Sequence, residues 1–313
     1  MRKQFIPARP AGILLVFLLF TGAVEGQETQ GRAFGAADSL FDVSASIDWR
    51  RGEMNAQVIY NMAIAGVKLP AGRFMAEDAL AETFPRLLRP CLLPIRVNSN
   101  STVGSMIESG ELSLESLDAI SRDAARIPPN VSADLTRING RYTVFFGKIS
   151  AFLTRHRQAK EPDTPLVPVP AANFTGIIII ADEELPIHGR NAKALAEPCL
   201  FPKIWDTDMN LIYDRSQNDP NVSDLMVCYT ESANIFRSTP SGLDGDLAAL
   251  LGSYPLRILA REVFGIYTTD LVIDRDDALK ILSSDNNRRL LREGRVALVL
   301  DEKTLSAPIE PRR

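Results

Sequence analysis

The groups that could do chemistry are few and far apart. Two histidines occur in 313 residues: His156 in the basic stretch Thr154-Arg155-His156-Arg157, and His188 in Pro186-Ile187-His188-Gly189. A serine or cysteine hydrolase needs an imidazole beside its nucleophile as general base, and no nucleophile elbow accompanies either histidine. Three cysteines, Cys91, Cys199 and Cys228, are too widely spaced to supply, with two histidines, the ligand pairs of a zinc site. Asp206-x-Asp208-x-Asn210 opens like a calcium loop. Leu211, however, stands where that loop turns on glycine, and Gln217 where it needs a bidentate glutamate. A hairpin turn is the better account. Asp182, Glu183 and Glu184 could suggest paired acids for glycoside cleavage, but adjacent acids just after a strand more often form a solvated turn. There is no glycine-rich phosphate loop. The expectation is a non-enzyme with no catalytic, cofactor-binding or metal-ligating residues and no cofactor.

The N-terminus bears on the compartment. Arg2, Lys3 and Arg9 precede an uncharged apolar run, Ala11 to Ala23, and Val24-Glu25-Gly26 places small residues before Gln27. This is the pattern of a secretory signal peptide cleaved near Gly26, and the run is shorter than the roughly 20 residues of a spanning helix. The expected location is the periplasm or cell envelope. Loss of residues 1–26 removes three basic residues and one acidic residue, which takes the formal net charge from −4 to −6. A mildly acidic, mixed-sign chain offers no footprint for nucleic acid. In an oxidising compartment Cys199 and Cys228 are the pair best placed to bond, since one domain holds both. Three unpaired, buried thiols are favoured over that bridge.

The elements that must position these residues fall into two groups. Residues 27–51 are polar and weakly patterned and read as a linker. From 52 to 155 the pattern predicts a first α+β domain. Its strand lies over Met54 to Gly66, followed by a helix over Ala76 to Leu88 with a break or kink near Pro85. Ile95 to Thr102 reads as a short strand running into a turn, after which Ser101 or Thr102 caps Val103 to Ser109. A helix opened by Ser113 is ended by Pro128-Pro129, and Arg141 to Ile149 is a strong β pattern. Residues 156–171 form a linker whose segment Glu161 to Pro170 holds four prolines, so it is extended and semi-rigid.

From 172 to 303 a second α+β domain opens on Ile177-Ile178-Ile179-Ile180. Four consecutive isoleucines leave nothing polar to alternate with, so both faces of that strand must be buried. A hairpin follows from Ile204 to Tyr213, then strands at Met226–Tyr229, within Ser253–Ile266 and at Leu271–Ile273. One helix is expected over Asp277 to Leu291, stopped by Gly294, with a closing strand over Arg295 to Asp301. Residues 304–313 have the composition of a disordered tail. The fold class is α+β: two small mixed sheet-and-helix domains joined by a Pro-rich linker.

Three blocks of the second domain carry a likeness to known proteins: Phe174-Thr175-Gly176-Ile177 to Asp182, Pro198-Cys199-Leu200-Phe201-Pro202-Lys203-Ile204, and Asp206-Thr207-Asp208 to Tyr213. A later stretch, Val263-Phe264-Gly265 to Thr269-Asp270 and on to Ile273-Asp274, adds to it. In this order they resemble the envelope module shared by bacterial FlgP-type lipoproteins and FlgT-type flagellar ring proteins. The first domain, through Ile95-Arg96-Val97-Asn98-Ser99, is more weakly similar to small outer-membrane lipoproteins of that group. The chain departs from the pattern in having Ala181-Asp182-Glu183-Glu184 after the strand and no lipid-bearing cysteine near the cleavage site. The resemblance implies a structural or assembly role at the envelope, linked to the flagellum. The partners it implies are other envelope or flagellar proteins, self-association and peripheral outer-membrane contact. Two alternatives stand beside it: a periplasmic small-ligand binder and a secreted carboxylate-based hydrolase.

Overall fold

The computed structural model describes residues 40–309 apart from Pro240, so the expected signal peptide and the last residues of the tail lie outside the described residues. The first sheet is built from β1 (Phe41–Asp48), β2 (Glu53–Asn61), β3 (Ala125–Val131) and β4 (Arg137–Phe145), closed by β14 (Ser306–Ile309). Its order is β14-β1-β2-β4-β3, and every pairing is antiparallel. Met54, Ala56, Val58 and Tyr60 of β2 and Ile138, Tyr142 and Val144 of β4 are buried, while the residues between them face outward. That period-2 alternation places one face against α1 (Arg73–Leu92). Phe84 stacks on Tyr142 with ring centroids 4.3 Å apart. Gly140 permits the close approach, because a Cβ there would lie 2.8 Å from Leu80 Cδ2. Two short helices, α2 (Val103–Glu108) and α3 (Leu114–Arg122), follow α1, and α4 (Phe146–Leu153) continues directly from β4.

The second sheet has seven strands. In chain order they are β5 (Ile177–Ala181), β8 (Ile204–Asp206), β9 (Leu211–Tyr213), β10 (Cys228–Thr230), β11 (Leu256–Phe264), β12 (Asp270–Ile273) and β13 (Val296–Leu300), arranged β10-β13-β5-β11-β12-β8-β9. A small hairpin of β6 (Leu185–Pro186) and β7 (Lys193–Ala194) lies beside β11 through the Ile187–Val263 bridge. Strand β5 runs parallel to both β13 and β11. Its isoleucines divide as the sequence demands. Ile177 and Ile179 enter the main core, whereas Ile178 packs on the other face with Ile235, Leu243, Leu247, Leu251, Ala297 and Val299. Helix α5 (Gly245–Leu251) supplies part of that second layer, and α6 (Arg275–Leu282) and α7 (Asp285–Arg292) precede β13.

Several expectations are corrected. Phe41–Asp48 is a strand rather than linker: Phe41, Val43, Ala45 and Ile47 alternate with polar residues, but alanine and serine make the alternation faint. Helix α1 runs through Pro85 and Pro90 to Leu92. Pro128-Pro129 does not end α3, which stops at Arg122. The prolines sit in edge strand β3, at the irregularity between Ile127 and Asn130, where missing N–H groups cost no ladder bond. Ile95 to Thr102 makes only one bridge, Arg96 with Thr102. Strand β4 gives way to α4 at Phe146, short of Ile149. The helix expected over 277–291 is two, broken at Ser283-Ser284. The tail is ordered as far as it is described: α8 (Glu302–Leu305) leads into β14, which pairs with β1 from Ala45↔Ile309 to Asp48↔Ser306.

Candidate functional site: the domain joint

One buried network gathers most of the blocks singled out in the sequence. It begins in the Ile95–Thr102 loop of the first domain. Ile95 and Val97 are fully buried, and the Asn98 carboxamide oxygen accepts from the N–H groups of Asn100 and Ser101, closing a tight turn. The loop then presents its carbonyls to the second domain. Leu200 N–H donates to Arg96 O at 3.0 Å and Phe201 N–H to Val97 O at 2.9 Å. Ile266 and Tyr267 N–H groups donate to Ser99 O at 3.0 and 2.9 Å. Gly265, at φ +115°, passes beside Ser99, and a Cβ there would collide with the serine side chain. On the rim the Arg96 guanidinium pairs with Glu197 at 2.8 Å and lies over the Tyr267 ring.

Asp270, at the head of β12, is the centre. It is 1% exposed. Its Oδ2 accepts from Ser99 Oγ at 3.0 Å and Trp205 Nε1 at 3.2 Å, and its Oδ1 accepts from the Lys203 N–H at 3.1 Å. Burial pushes this carboxyl above its ordinary pKa, while the donors from Trp205, Lys203 and Ser99 act against that rise. Nearby, the Tyr229 hydroxyl donates to Cys199 O at 2.8 Å and accepts from Cys199 N–H at 3.0 Å. Trp49, from the β1–β2 turn, packs against Phe146 at 4.6 Å and edge-on to Tyr229 at 5.8 Å. Arg50 beside it pairs with Glu231 of the second domain at 3.3 Å. A cavity of about 220 Å³ lies here, walled by Trp49, Phe146, Leu200, Leu225, Val227 and Tyr229.

The residues weighed for chemistry do not converge. His156 Nε2 is 2.8 Å from Asn218 O, and His188 Nδ1 is 2.6 Å from Glu262. Among the described residues no hydroxyl or thiol is bonded to either ring. Asp182 accepts from the Ser232 hydroxyl, and Glu183 and Glu184 are exposed in the turn after β5. Asp206 is a turn residue: its carboxylate accepts from Asp208 N–H at 3.0 Å, Asn210 N–H at 2.7 Å and Asn210 Nδ2 at 2.8 Å. Asp208 faces Arg275 at 3.1 Å. No group of three or more His, Cys, Asp or Glu among the described residues could hold a metal ion. All three cysteines are free, and burial raises each thiol, Cys199 to about 12 and Cys91 and Cys228 to about 11. The polar centre, Asp270 with Ser99, was not marked by residue type. Apart from their place in the resemblance blocks, an acid leading the apolar run Leu271-Val272-Ile273 is the signal that points to it.

Comparison with known families assigns both halves. Residues 41–152 match the family model of the N-terminal domain of Treponema pallidum Tp0624, and residues 176–302 match that of its second domain. The chain carries both domain types in one polypeptide, in that order. No curated protein matches it.

Proposed function

We propose that this chain, a tandem of the Tp0624 N-terminal and second domain types, is an exported, non-catalytic protein with a structural or assembly role at the cell envelope. The observation that carries the reading is where the buried polar groups point. The Asp270 carboxylate is turned on Ser99 across the joint, and the Tyr229 hydroxyl is turned on the Cys199 backbone within the second domain. A catalytic or carrier site needs groups held free for a substrate, with convergent polar atoms in a cavity. Here the resemblance blocks build a rigid connection between domains. The product of such a fold is a surface, and its partners are other envelope proteins or further copies of itself. Fractionation is the test: the protein is expected with the periplasm or envelope, and a cytoplasmic location would overturn the reading.

The narrower proposal is a link to the flagellum, supported by the resemblance to FlgP- and FlgT-type modules. A deletion strain should then lose flagellation or motility, and normal flagella in that strain would remove this part alone. A second reading, small-ligand binding, would use the cavity at the joint. At about 220 Å³ it falls below the roughly 300–1,000 Å³ of sites that enclose a drug-sized molecule. The hydrolase alternative predicts that alanine at Asp182, Glu183 or Asp206 abolishes a measured hydrolysis while leaving the fold intact.

A further inference from the structure

The wall of the cavity at the joint is shared between the domains. Trp49 and Phe146 come from the first, and Leu200, Leu225, Val227 and Tyr229 from the second. An apolar cavity of about 150 Å³ already takes benzene. At about 220 Å³ this one has space for a single ring with a short side group. The wall is held in place before anything binds. Trp49 N–H is bonded to Leu305 O, the Trp49 ring packs on Phe146, and the Tyr229 hydroxyl is fixed by both the N–H and the carbonyl of Cys199. Gly52 and Gly294 also line it, at φ +62° and +63°, and a Cβ on either would lie 3.0 Å from an atom of Leu225.

One polar group on this wall is unused. Trp49 is 5% exposed, and among the described residues its Nε1–H has no acceptor, whereas the indole of Trp205 donates to Asp270. The fully buried side-chain atoms without a partner among those residues are Ser150 Oγ and Asn218 Oδ1. The unbonded Trp49 Nε1 is therefore not sealed in, and a small molecule can reach it. Nearby groups are committed: Ser223 Oγ donates to Leu225 O at 2.6 Å and the Cys228 thiol to Tyr229 O at 3.7 Å. A free donor on an apolar wall calls for an acceptor on an apolar body. Charge at the mouth decides the form of that acceptor. Arg50 pairs with Asp48 at 3.5 Å and Glu231 at 3.3 Å, and Arg51 with Glu53 at 3.8 Å. Three acids against two arginines leave no net positive charge to draw in a carboxylate. We propose that the cavity binds a small, neutral, one-ring molecule with a carbonyl head, which accepts from Trp49 Nε1–H and touches both domains at once. This rests on the small-ligand reading of the joint and adds the class of ligand and its effect. A molecule gripped by both walls binds only the closed joint, so it tightens the connection between the domains.

Nuclear magnetic resonance tests this directly, because the chain has two tryptophans, Trp49 and Trp205. Isotope-labelled protein gives one indole N–H signal for each, and Trp49→Phe identifies its own by removing it. Acetophenone is the probe, ethylbenzene its counterpart without the oxygen, and benzoate its counterpart with a charge. Acetophenone is expected to move the Trp49 signal saturably, to leave the Trp205 signal in place and to raise the unfolding midpoint. Ethylbenzene should bind about three- to tenfold more weakly, the worth of one neutral hydrogen bond, and benzoate should also bind more weakly than acetophenone. Trp49→Phe should bring acetophenone down to the ethylbenzene level and leave ethylbenzene unchanged. If that variant does not fold, the wild-type titration still decides, since contacts to Phe146 also assign the Trp49 ring. A Trp49 signal that stays put at millimolar acetophenone, a shift of Trp205 instead, or benzoate binding as tightly as acetophenone would overturn the proposal. Equal binding of ethylbenzene and acetophenone would keep a small-ligand site at the joint but overturn the carbonyl's assignment to Trp49, so the two readings fail separately.

Discussion

Asp270 is the residue on which the joint depends most. Truncation to alanine would leave Ser99 Oγ, Trp205 Nε1 and Lys203 N–H without their acceptor in a site closed to water. Asp270→Ala should therefore destabilise the fold by about 3 kcal/mol or more in urea titration, since each of the three stranded donors costs roughly 1–3 kcal/mol. Asp270→Asn separates charge from shape. Burial raises the native carboxyl above the value of about 3.9 that it has in an unfolded chain, so the folded state holds the proton more tightly. Ionising Asp270 then costs stability as pH rises from about 4 through its native pKa, and the cost is complete above it. The unfolding free energy of wild type minus Asp270→Asn should fall across that window and then level. A flat difference would show that the carboxyl is not raised. The cysteines give a simpler check. Cys91 and Cys199 are closed to solvent and Cys228 is half-buried. With all three thiols raised, a disulfide reagent at about pH 8 should modify Cys228 slowly and the other two only on unfolding. A mass spectrum showing a Cys199–Cys228 bridge in protein from the periplasm would contradict the free thiols seen here.

Strand β5 shows why some elements were readable and others were not. A strand buried on both faces must be continuously apolar, so Ile177 to Ile180 announces itself, and Ile178→Ala should cost about 2–5 kcal/mol by opening a cavity in the outer layer. Hairpin β8–β9 was equally plain, because Asp206 and Asn210 satisfy turn chemistry locally. Strand β1 was hidden by small residues. Strand β14 was hidden by distance: four residues of a polar tail become a strand only because β1 offers an open edge far away in sequence. The same limit applies to the joint. Ser99 and Asp270 are 171 positions apart, and neither has local neighbours that name the other. Several of the blocks singled out in the sequence meet at the joint, and only the fold shows what they do there. Strand β14 also supports a prediction of its own. Ending the chain before Ser306 would expose the β1 edge and lose the burial of Ile309, which is 8% exposed. The loss should be about 1.5–3 kcal/mol by thermal or chemical denaturation, with a new tendency to self-associate through the bare edge. An unchanged midpoint would mean that the strand contributes nothing to closure.

The two domains share one core, and that bears on what the proline segment does. The sequence suggested a semi-rigid spacer holding two domains apart. The hydrophobic core instead runs without a gap from Met54 and Tyr142 through Trp49 and Phe146 to Tyr229 and Ile177. The chain crosses between domains twice. It passes outward along residues 156–171, and it returns when α8 and β14 complete the first sheet, with Trp49 N–H bonded to Leu305 O at 2.9 Å. The proline segment itself lies on the second domain, through Lys160 N–H to Ser216 O and Val169 N–H to Ser283 Oγ. Leu166 in its middle is fully exposed. If the segment were the tether, cutting it would release two domains. If the joint is the tether, a cut changes little, because the Ile95–Thr102 loop, Trp49 and β14 all remain engaged. Limited proteolysis at Leu166 should therefore give two fragments that co-elute in gel filtration as one particle and separate only in denaturant. Ser99→Ala combined with removal of β14 should weaken that association, so that the nicked fragments elute apart. Separation of the nicked wild-type protein under native conditions would show that the joint does not hold the domains and that the proline segment does.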